Sequence, residues 1–166
     1  MEELHYLDYI EEATERLEKG AFLTTKVKGE TNTMTIGWGS IGYIWSKPMF
    51  SVLVRESRHT YQLIENSDEF TVSIPLTDKL KSALAFCGSK SGADYDKFKE
   101  CDLTARPGQE VDVPIIGECE LHYECKIVFQ QEMEKDNLIA EYQTNNYPGN
   151  DYHTIYYGEI LTSYLL

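Results

Sequence analysis

The chain has 166 residues, of which 42% are hydrophobic, so one domain over residues 1–166 is long enough to bury most of its apolar surface. Its formal net charge of −13 argues against nucleic acid and anionic membranes as general partners, because both require a basic surface. No apolar run approaches the ~20 residues that span a bilayer, and the acidic start Met1-Glu2-Glu3 lacks a signal-peptide core, so we expect a cytoplasmic protein.

The first part of the chain predicts one helix followed by strands. Apolar residues recur every three or four positions from Leu4 to Leu17, which predicts an amphipathic helix that ends at Gly20. Glycines and polar residues at 39–43 predict a turn. The predicted strands here cover residues 21–28, 33–38 and 49–55.

The middle of the chain predicts short helices around one strand. Ser57 and Asp78 are each expected to cap the helix that follows, because their side chains accept hydrogen bonds from exposed first-turn amides. The predicted elements are helices over 58–66, 79–86 and 95–100, a strand over 69–74, and an irregular segment over 101–117.

The last part of the chain predicts long strands. Apolar and polar residues alternate strictly over 118–130, which is typical of a strand with one buried and one solvated face. His122 and Glu124 fall on the face predicted to be solvated. Two further strands are expected over 138–143 and 154–164.

These elements favour a mainly β fold. Six or more strands with short intervening helices are typical of an antiparallel barrel with peripheral helices. A Rossmann fold is disfavoured, because no strand is followed by a G-x-G-x-x-G motif.

Basic and hydroxyl side chains cluster where the strand over 49–55 gives way to a helix. The cluster consists of Arg55, Ser57, Arg58 and Thr60. A helix start exposes free amides, and arginine adds paired donors, so the cluster favours a phosphate group. The alternative is a capping serine beside two solvated arginines.

The segment from Asn32 to Gly39 combines short polar side chains, glycines and a tryptophan. Its donors suit the polar edge of an isoalloxazine ring, and its tryptophan can pack beside that ring. The residues assigned to this role are Asn32, Thr33, Met34, Thr35 and Trp38. A hairpin with a core tryptophan is the alternative. A ring site followed by a phosphate site points to flavin mononucleotide (FMN).

A third polar segment runs from Ser89 to Phe98. Lys97 can place a positive charge near the flavin edge where negative charge grows on reduction, although an ordinary capped loop also explains the segment. Asp94 and Asp96 are weak evidence for a metal, so we predict no metal site.

Histidines and cysteines are expected to be structural. The four histidines, including His153, share no ligand-like spacing, and no Ser-His-Asp or Cys-His arrangement is evident, so no catalytic residue is assigned. The cysteines form no C-x-x-C pair, so buried free thiols in a reducing compartment are expected. They are Cys87, Cys101, Cys119 and Cys125.

Together these motifs resemble the flavin reductase-like, FMN-binding split-barrel family, and within it the flavoredoxin-type branch. The resemblance covers roughly residues 18–163 in order and spacing. The matching segments are Asn32-Thr-Met-Thr-x-Gly-Trp-Gly39, Lys47-Pro48, Val54-Arg55-x-Ser57-Arg58-His59-Thr60, Phe70-Thr-Val-Ser-Ile-Pro75, Cys87-Gly-x-x-Ser-Gly-x-Asp94-x-Asp96-Lys97-Phe98, and His153 with Tyr157-Gly-Glu-Ile160.

The resemblance implies a six-stranded antiparallel split barrel with a Greek-key arrangement, which forms a homodimer and holds FMN near the interface. It places the 32–38 segment along the isoalloxazine, the 55–60 cluster on the phosphate and ribityl chain, and Lys97 near the ring. Ala93 departs from the family pattern, which frequently has arginine there, so this loop gives no basis for a nicotinamide-phosphate contact.

The resemblance also implies a redox function. The favoured interpretation is an oxidoreductase that takes electrons from NAD(P)H and passes them through bound FMN to a flavin, a small acceptor or a redox protein. The alternative is a non-enzymatic FMN electron carrier whose acidic surface docks to a basic partner. Outside redox chemistry, a small-ligand-binding barrel remains open.

Overall fold

The computed structural model describes residues 2–166. Most of its strands belong to one antiparallel sheet, and short helices lie around that sheet. The strands are β1 (Glu2–Leu4), β2 (Ala21–Val27), β3 (Glu30–Ile36), β4 (Gly39–Ile44), β5 (Lys47–Arg55), β6 (Glu69–Ile74), β7 (Ala105–Arg106), β8 (Ile115–Ile116), β9 (Leu121–Glu132) and β10 (His153–Leu165). The helices are α1 (Ile10–Leu17), α2 (His59–Ile64), α3 (Lys81–Ser89), α4 (Lys97–Glu100) and α5 (Ala140–Asn146).

The main sheet is ordered β3-β2-β6-β9-β10-β5-β4, and β1 pairs with the end of β10. Every pairing in it is antiparallel, and the two long strands β9 and β10 lie side by side at its centre. The predicted mainly β, antiparallel architecture is therefore confirmed. The predicted strand number of six is too low, since the main sheet has eight strands and β7 pairs with β8 separately.

Two of the additional strands come from segments predicted otherwise. The predicted helix from Leu4 is wrong at its start, because residues 2–4 pair with the C-terminal end of β10 and α1 begins only at Ile10. The helix ends at Leu17, and the predicted stop signal at Gly20 is confirmed, since Gly20 has a φ of +114° and its N–H donates to the carbonyl of Arg16. The predicted turn at 39–43 is also wrong. Those residues form β4, and the turn lies at Trp45-Ser46, where both φ angles are positive.

Gly39 shows why the glycines of β4 were misleading. A Cβ atom at this position would lie 2.8 Å from the carbonyl oxygen of Ser51 on the neighbouring strand. The glycine therefore permits close strand packing and does not mark a change of chain direction.

The predicted strand over 138–143 is wrong, because α5 occupies residues 140–146. Its apolar side chains are not buried, with Ile139 64% and Tyr142 55% exposed. A short apolar run does not distinguish a strand from a helix by its period alone.

The two predicted caps are also wrong. The N-cap of α2 is Arg58, and the Ser57 hydroxyl instead donates to the carboxylate of Asp151. The carboxylate of Asp78 pairs with Arg16 at 2.7 Å. Both polar side chains serve contacts between distant segments, which local sequence does not reveal.

The predicted solvated face of β9 is wrong for its first half. His122 and Glu124 are fully buried, because the excursion over 101–117 folds across this face of the sheet. The buried residues fall into two clusters, one enclosed by the sheet and one where α3 meets the excursion. No helix within residues 2–166 is long and apolar enough to cross a membrane.

Candidate functional site

Two adjoining hollows lie where β3 and the end of β5 meet the starts of α2 and the loop after α3. The large hollow has a volume of about 220 Å³ and the small hollow about 100 Å³. Met34 and Arg58 line both, so the two hollows adjoin. The large hollow is lined by Met34, Thr35, Ile36, Gly37, Trp38, Leu53, Arg55, Arg58 and His153, and the small hollow by Met34, Ser57, Arg58, His59, Thr60, Ser89, Lys90, Ser91, Gly92 and Lys97.

The β3 residues predicted to contact a ring divide into two groups. Met34 and Thr35 line the large hollow, and the Thr35 hydroxyl donates to the carbonyl of Leu84 at 2.6 Å. Asn32 and Thr33 are buried beside the hollows and do not line them. Asn32 Nδ2 donates to the Thr60 hydroxyl at 2.8 Å, so this side chain joins β3 to α2.

Trp38 forms the rim of the large hollow, and 45% of its surface is exposed. Its ring lies 5.2 Å from the His153 ring and 6.4 Å from the Tyr147 ring, between centroids. The Tyr147 hydroxyl and His153 Nδ1 are 2.8 Å apart. The predicted core tryptophan alternative is therefore wrong, and the exposed indole is available to a planar ligand.

Arg55 lies at the end of β5, on the wall of the large hollow. Its guanidinium donates to the carbonyl oxygens of Asn146 (3.0 Å) and Asp151, and it lies 4.9 Å from the centre of the Tyr147 ring. Arg55 therefore fixes the loop between α5 and β10 against the hollow.

Arg58 stands between the two hollows and donates to the carbonyl of Gly88. Lys97 lies at the base of the small hollow and is only 4% exposed. Its ammonium donates to the carbonyls of Thr33 at 2.9 Å and Cys87 at 3.0 Å. Burial lowers the pKa of Lys97, because a desolvated ammonium is disfavoured.

Ser57 and Thr60 line the small hollow from the α2 side. The Ser57 hydroxyl is 2.5 Å from an Asp151 carboxylate oxygen, so an entering anion would compete with Asp151 for this donor. Opposite them, a Cβ atom on Gly92 would lie 2.1 Å from Asn32 Oδ1. A larger residue would displace the Asn32 side chain, so glycine lets the loop close against β3.

The charge of the two hollows is opposite to that of the chain. Within residues 2–166, the cations in ion pairs closer than 4.0 Å are Arg16, Lys26, Lys47 and His59. Three of the cations that line the hollows, Arg55, Arg58 and Lys97, donate to carbonyls and have no carboxylate partner among the described residues. In a chain with net charge −13, this leaves uncompensated positive charge suited to an anion.

One residue that lines the large hollow and one residue that contacts it were missed or assigned another role by the sequence analysis. His153 was expected to be structural, yet it lines the large hollow, and burial together with nearby Arg55 lowers its pKa to about 4. It is therefore neutral at pH 7. The sequence analysis did not single out Tyr147. It predicted a strand over 138–143 and therefore did not anticipate the loop that brings Tyr147 to His153.

Comparison with known proteins agrees with this arrangement. The family model for the flavin reductase like domain matches residues 18–165. The chain belongs to this family. Flavoredoxin of Desulfovibrio vulgaris (Miyazaki F) is 26% identical with a TM-score of 0.70, over 89% of this chain and 69% of that one. The predicted split-barrel class is thereby confirmed for this flavin reductase-like chain.

Other relatives place the chain in the same group. Flavoredoxin from Methanosarcina acetivorans is 27% identical with a TM-score of 0.68, over 87% of this chain and 67% of that one. An uncharacterized protein of Archaeoglobus fulgidus is 32% identical over 130 residues, which are 78% of this chain and 63% of that protein. The chain thus spans less than two thirds of the length of this relative.

Proposed function

We propose that this flavin reductase-like protein is a single-domain FMN-binding oxidoreductase. The observation that supports this most is that Arg55, Arg58 and Lys97, which have no carboxylate partner among the described residues, line two adjoining hollows. The large hollow has an exposed tryptophan, and the small hollow has hydroxyl groups. A planar ring with a phosphate tail matches both the sizes and the charge of these hollows. Membership of the family and likeness to two flavoredoxins support FMN as this ligand.

Different side chains would contact the ring and the phosphate of FMN. Met34, Thr35 and Trp38 would contact the ring in the large hollow, while Asn32 and Thr33 hold β3 in place from behind. Ser57, Arg58 and Thr60 would contact the phosphate in the small hollow, where charge-assisted hydrogen bonds are strongest.

Arg55 and Lys97 would act through charge as well as position. Arg55 holds the loop that carries His153 against the ring site. Lys97 keeps a buried positive charge between β3 and the loop after α3, where it would favour negative charge on the ligand. Bound FMN would supply the redox chemistry, accepting a hydride and delivering electrons onward.

We propose NAD(P)H as the electron donor and a flavin, a small molecule or a redox protein as the acceptor. The open rim at Trp38 gives a second planar molecule access to the large hollow. The second candidate is a non-enzymatic electron carrier that docks to a basic partner. The flavoredoxin neighbours and the net charge of −13 favour this candidate.

The purified protein is expected to be yellow, with one FMN per chain, and to bleach within seconds when mixed with NADH or NADPH without air. Mass measurement of the cofactor after denaturation identifies it, and absorbance follows the bleaching. Slow bleaching with normal FMN content would favour the electron carrier. A protein that stays colourless after added FMN would leave a barrel for another small ligand.

We also propose that the protein is a cytoplasmic homodimer. The four free thiols are typical of a reducing compartment. The turn after β4 carries an exposed aromatic cluster that suits an interface: Trp45 is 59% exposed and lies 5.8 Å from the Phe129 ring and 6.2 Å from the Tyr157 ring. Aromatic residues are enriched in the centres of protein interfaces.

Light scattering is expected to give twice the chain mass, and added FMN is expected to raise the melting temperature of the apoprotein. Trp45→Glu should convert the dimer to a monomer, because a charge in an aromatic interface is desolvated without a partner. Tyr142→Glu is the matched control, since it changes an exposed aromatic residue on α5. A wild-type monomer that binds FMN tightly would refute the proposed interface.

A further inference from the structure

Two of the four cysteines lie together beside the small hollow. Cys87 belongs to α3, and Cys101 directly follows α4. Both side chains pack in the cluster between α3 and the excursion, and the two thiols lie close enough to shift each other's pKa. We propose that Cys87 and Cys101 form a thiol–disulfide site, which a low-molecular-weight disulfide oxidises to an intrachain disulfide.

The other two cysteines do not share this arrangement. Cys119 is 2% exposed and Cys125 fully buried, and within the described residues their thiols have only glutamate neighbours among charged groups. Cys101 is partly exposed, so a small reagent can reach it, whereas Cys87 is fully buried behind it. An accessible thiol and a buried thiol packed in the same cluster are the two groups that attack and resolution require.

The exchange is balanced without a further oxidant. The Cys101 thiolate attacks the reagent's disulfide, which forms a mixed disulfide and releases one reagent thiolate. Cys87 then loses its proton and attacks the Cys101 sulfur, which releases the second reagent thiol and forms the Cys87–Cys101 bond. The protein loses two electrons and two protons, and the reagent gains them.

The local charges set the speed and direction of this exchange. Burial raises the pKa of Cys87 to about 12 and raises that of Cys101, while the neighbouring Lys97 charge favours both thiolates. Thiols with raised pKa values react slowly at neutral pH, but their reduced form gains no stabilisation as a thiolate. Once formed, the disulfide should therefore resist reduction.

Formation of the disulfide would alter the proposed flavin site through two backbone carbonyl groups. The Cys87 carbonyl accepts from Lys97 at 3.0 Å, and the next carbonyl, that of Gly88, accepts from Arg58. A disulfide requires the sulfurs to approach to about 2.05 Å, which displaces the end of α3. The loss of one such hydrogen bond is expected to lower the affinity for FMN about tenfold. This second effect rests on the proposed function.

The test treats the full-length protein with glutathione disulfide and measures its intact mass and its linked peptides. We expect the loss of two hydrogen atoms and one link, between Cys87 and Cys101. Cys87→Ser should instead trap glutathione on Cys101, and Cys101→Ser should give neither product. Cys119→Ala, the matched control, should still form the link. No link in the folded wild type, or a link that involves Cys119, would overturn the site.

FMN affinity of the reduced and oxidised forms, measured by fluorescence, tests the coupling separately. A tenfold loss that is absent in Cys101→Ser supports it, and an equal affinity of both forms overturns it. A protein that forms the link but binds no FMN in either state would overturn the proposed function while the thiol–disulfide site stands.

Discussion

Replacing Arg58 with alanine is expected to weaken FMN binding by about 2–3 kcal/mol, or roughly 30- to 150-fold, because it removes a charge-assisted contact to phosphate. Riboflavin has no phosphate and should be weakened much less by the same change. Titration of flavin fluorescence with each ligand measures both effects. Equal weakening of FMN and riboflavin would show that Arg58 does not bind the phosphate.

Two other arginines sharpen this experiment. Arg55→Ala should weaken the binding of both FMN and riboflavin, because Arg55 holds the loop that carries His153 against the large hollow. Arg106→Ala is the control, since Arg106 is an exposed arginine on β7, outside both hollows. If Arg106→Ala weakens FMN as much as Arg58→Ala, the effect reflects net charge alone.

Glu124→Gln is expected to lower the free energy of unfolding by about 3 kcal/mol, because it removes the buried charged acceptor that three backbone amides of the excursion share. The carboxylate of Glu124 accepts from the backbone N–H groups of Gln109, Glu110 and Val111 at 2.7–3.0 Å. It also accepts from the Tyr164 hydroxyl at 2.6 Å. Urea unfolding curves of the wild type and the variant measure the difference.

Glu132 provides the matched control for this second prediction. It is an exposed glutamate at the other end of β9, so Glu132→Gln should change the unfolding free energy by less than about 0.5 kcal/mol. An equally small loss for Glu124→Gln would mean that the excursion is not held by this carboxylate. Wild-type FMN affinity in a destabilised Glu124→Gln protein would show that the hollows form independently of the excursion.

The local sequence was sufficient to predict an element where the burial pattern and the local backbone geometry indicate the same element. Strand β6 was predicted with its observed ends, and Gly20 was correctly predicted to stop the chain from continuing α1, because a period or a positive φ angle is specified by neighbouring residues. The assignment of the motif residues from Met34 to Lys97 to a flavin site remains a prediction. Their residue types match a ring and a phosphate wherever the chain places them.

Contacts between distant segments of the chain determined the features that the local sequence did not predict. Asn32 and Thr33 were assigned to the ring, but pairing of β3 with β2 and packing on α2 bury them beside the hollows. Ser57 was read as a cap, yet its partner is Asp151, 94 residues away in the chain.

The sequence by itself therefore determined the mainly β class, the family resemblance and the chemical character of the candidate site. Only the tertiary structure decided which face of β9 is buried, that His153 lines the large hollow with Tyr147 beside it, and that Cys87 and Cys101 pack in one cluster. The physical reason is that residue type fixes what a side chain can bind, whereas its neighbours depend on strand pairing and loop packing that close over long sequence separations.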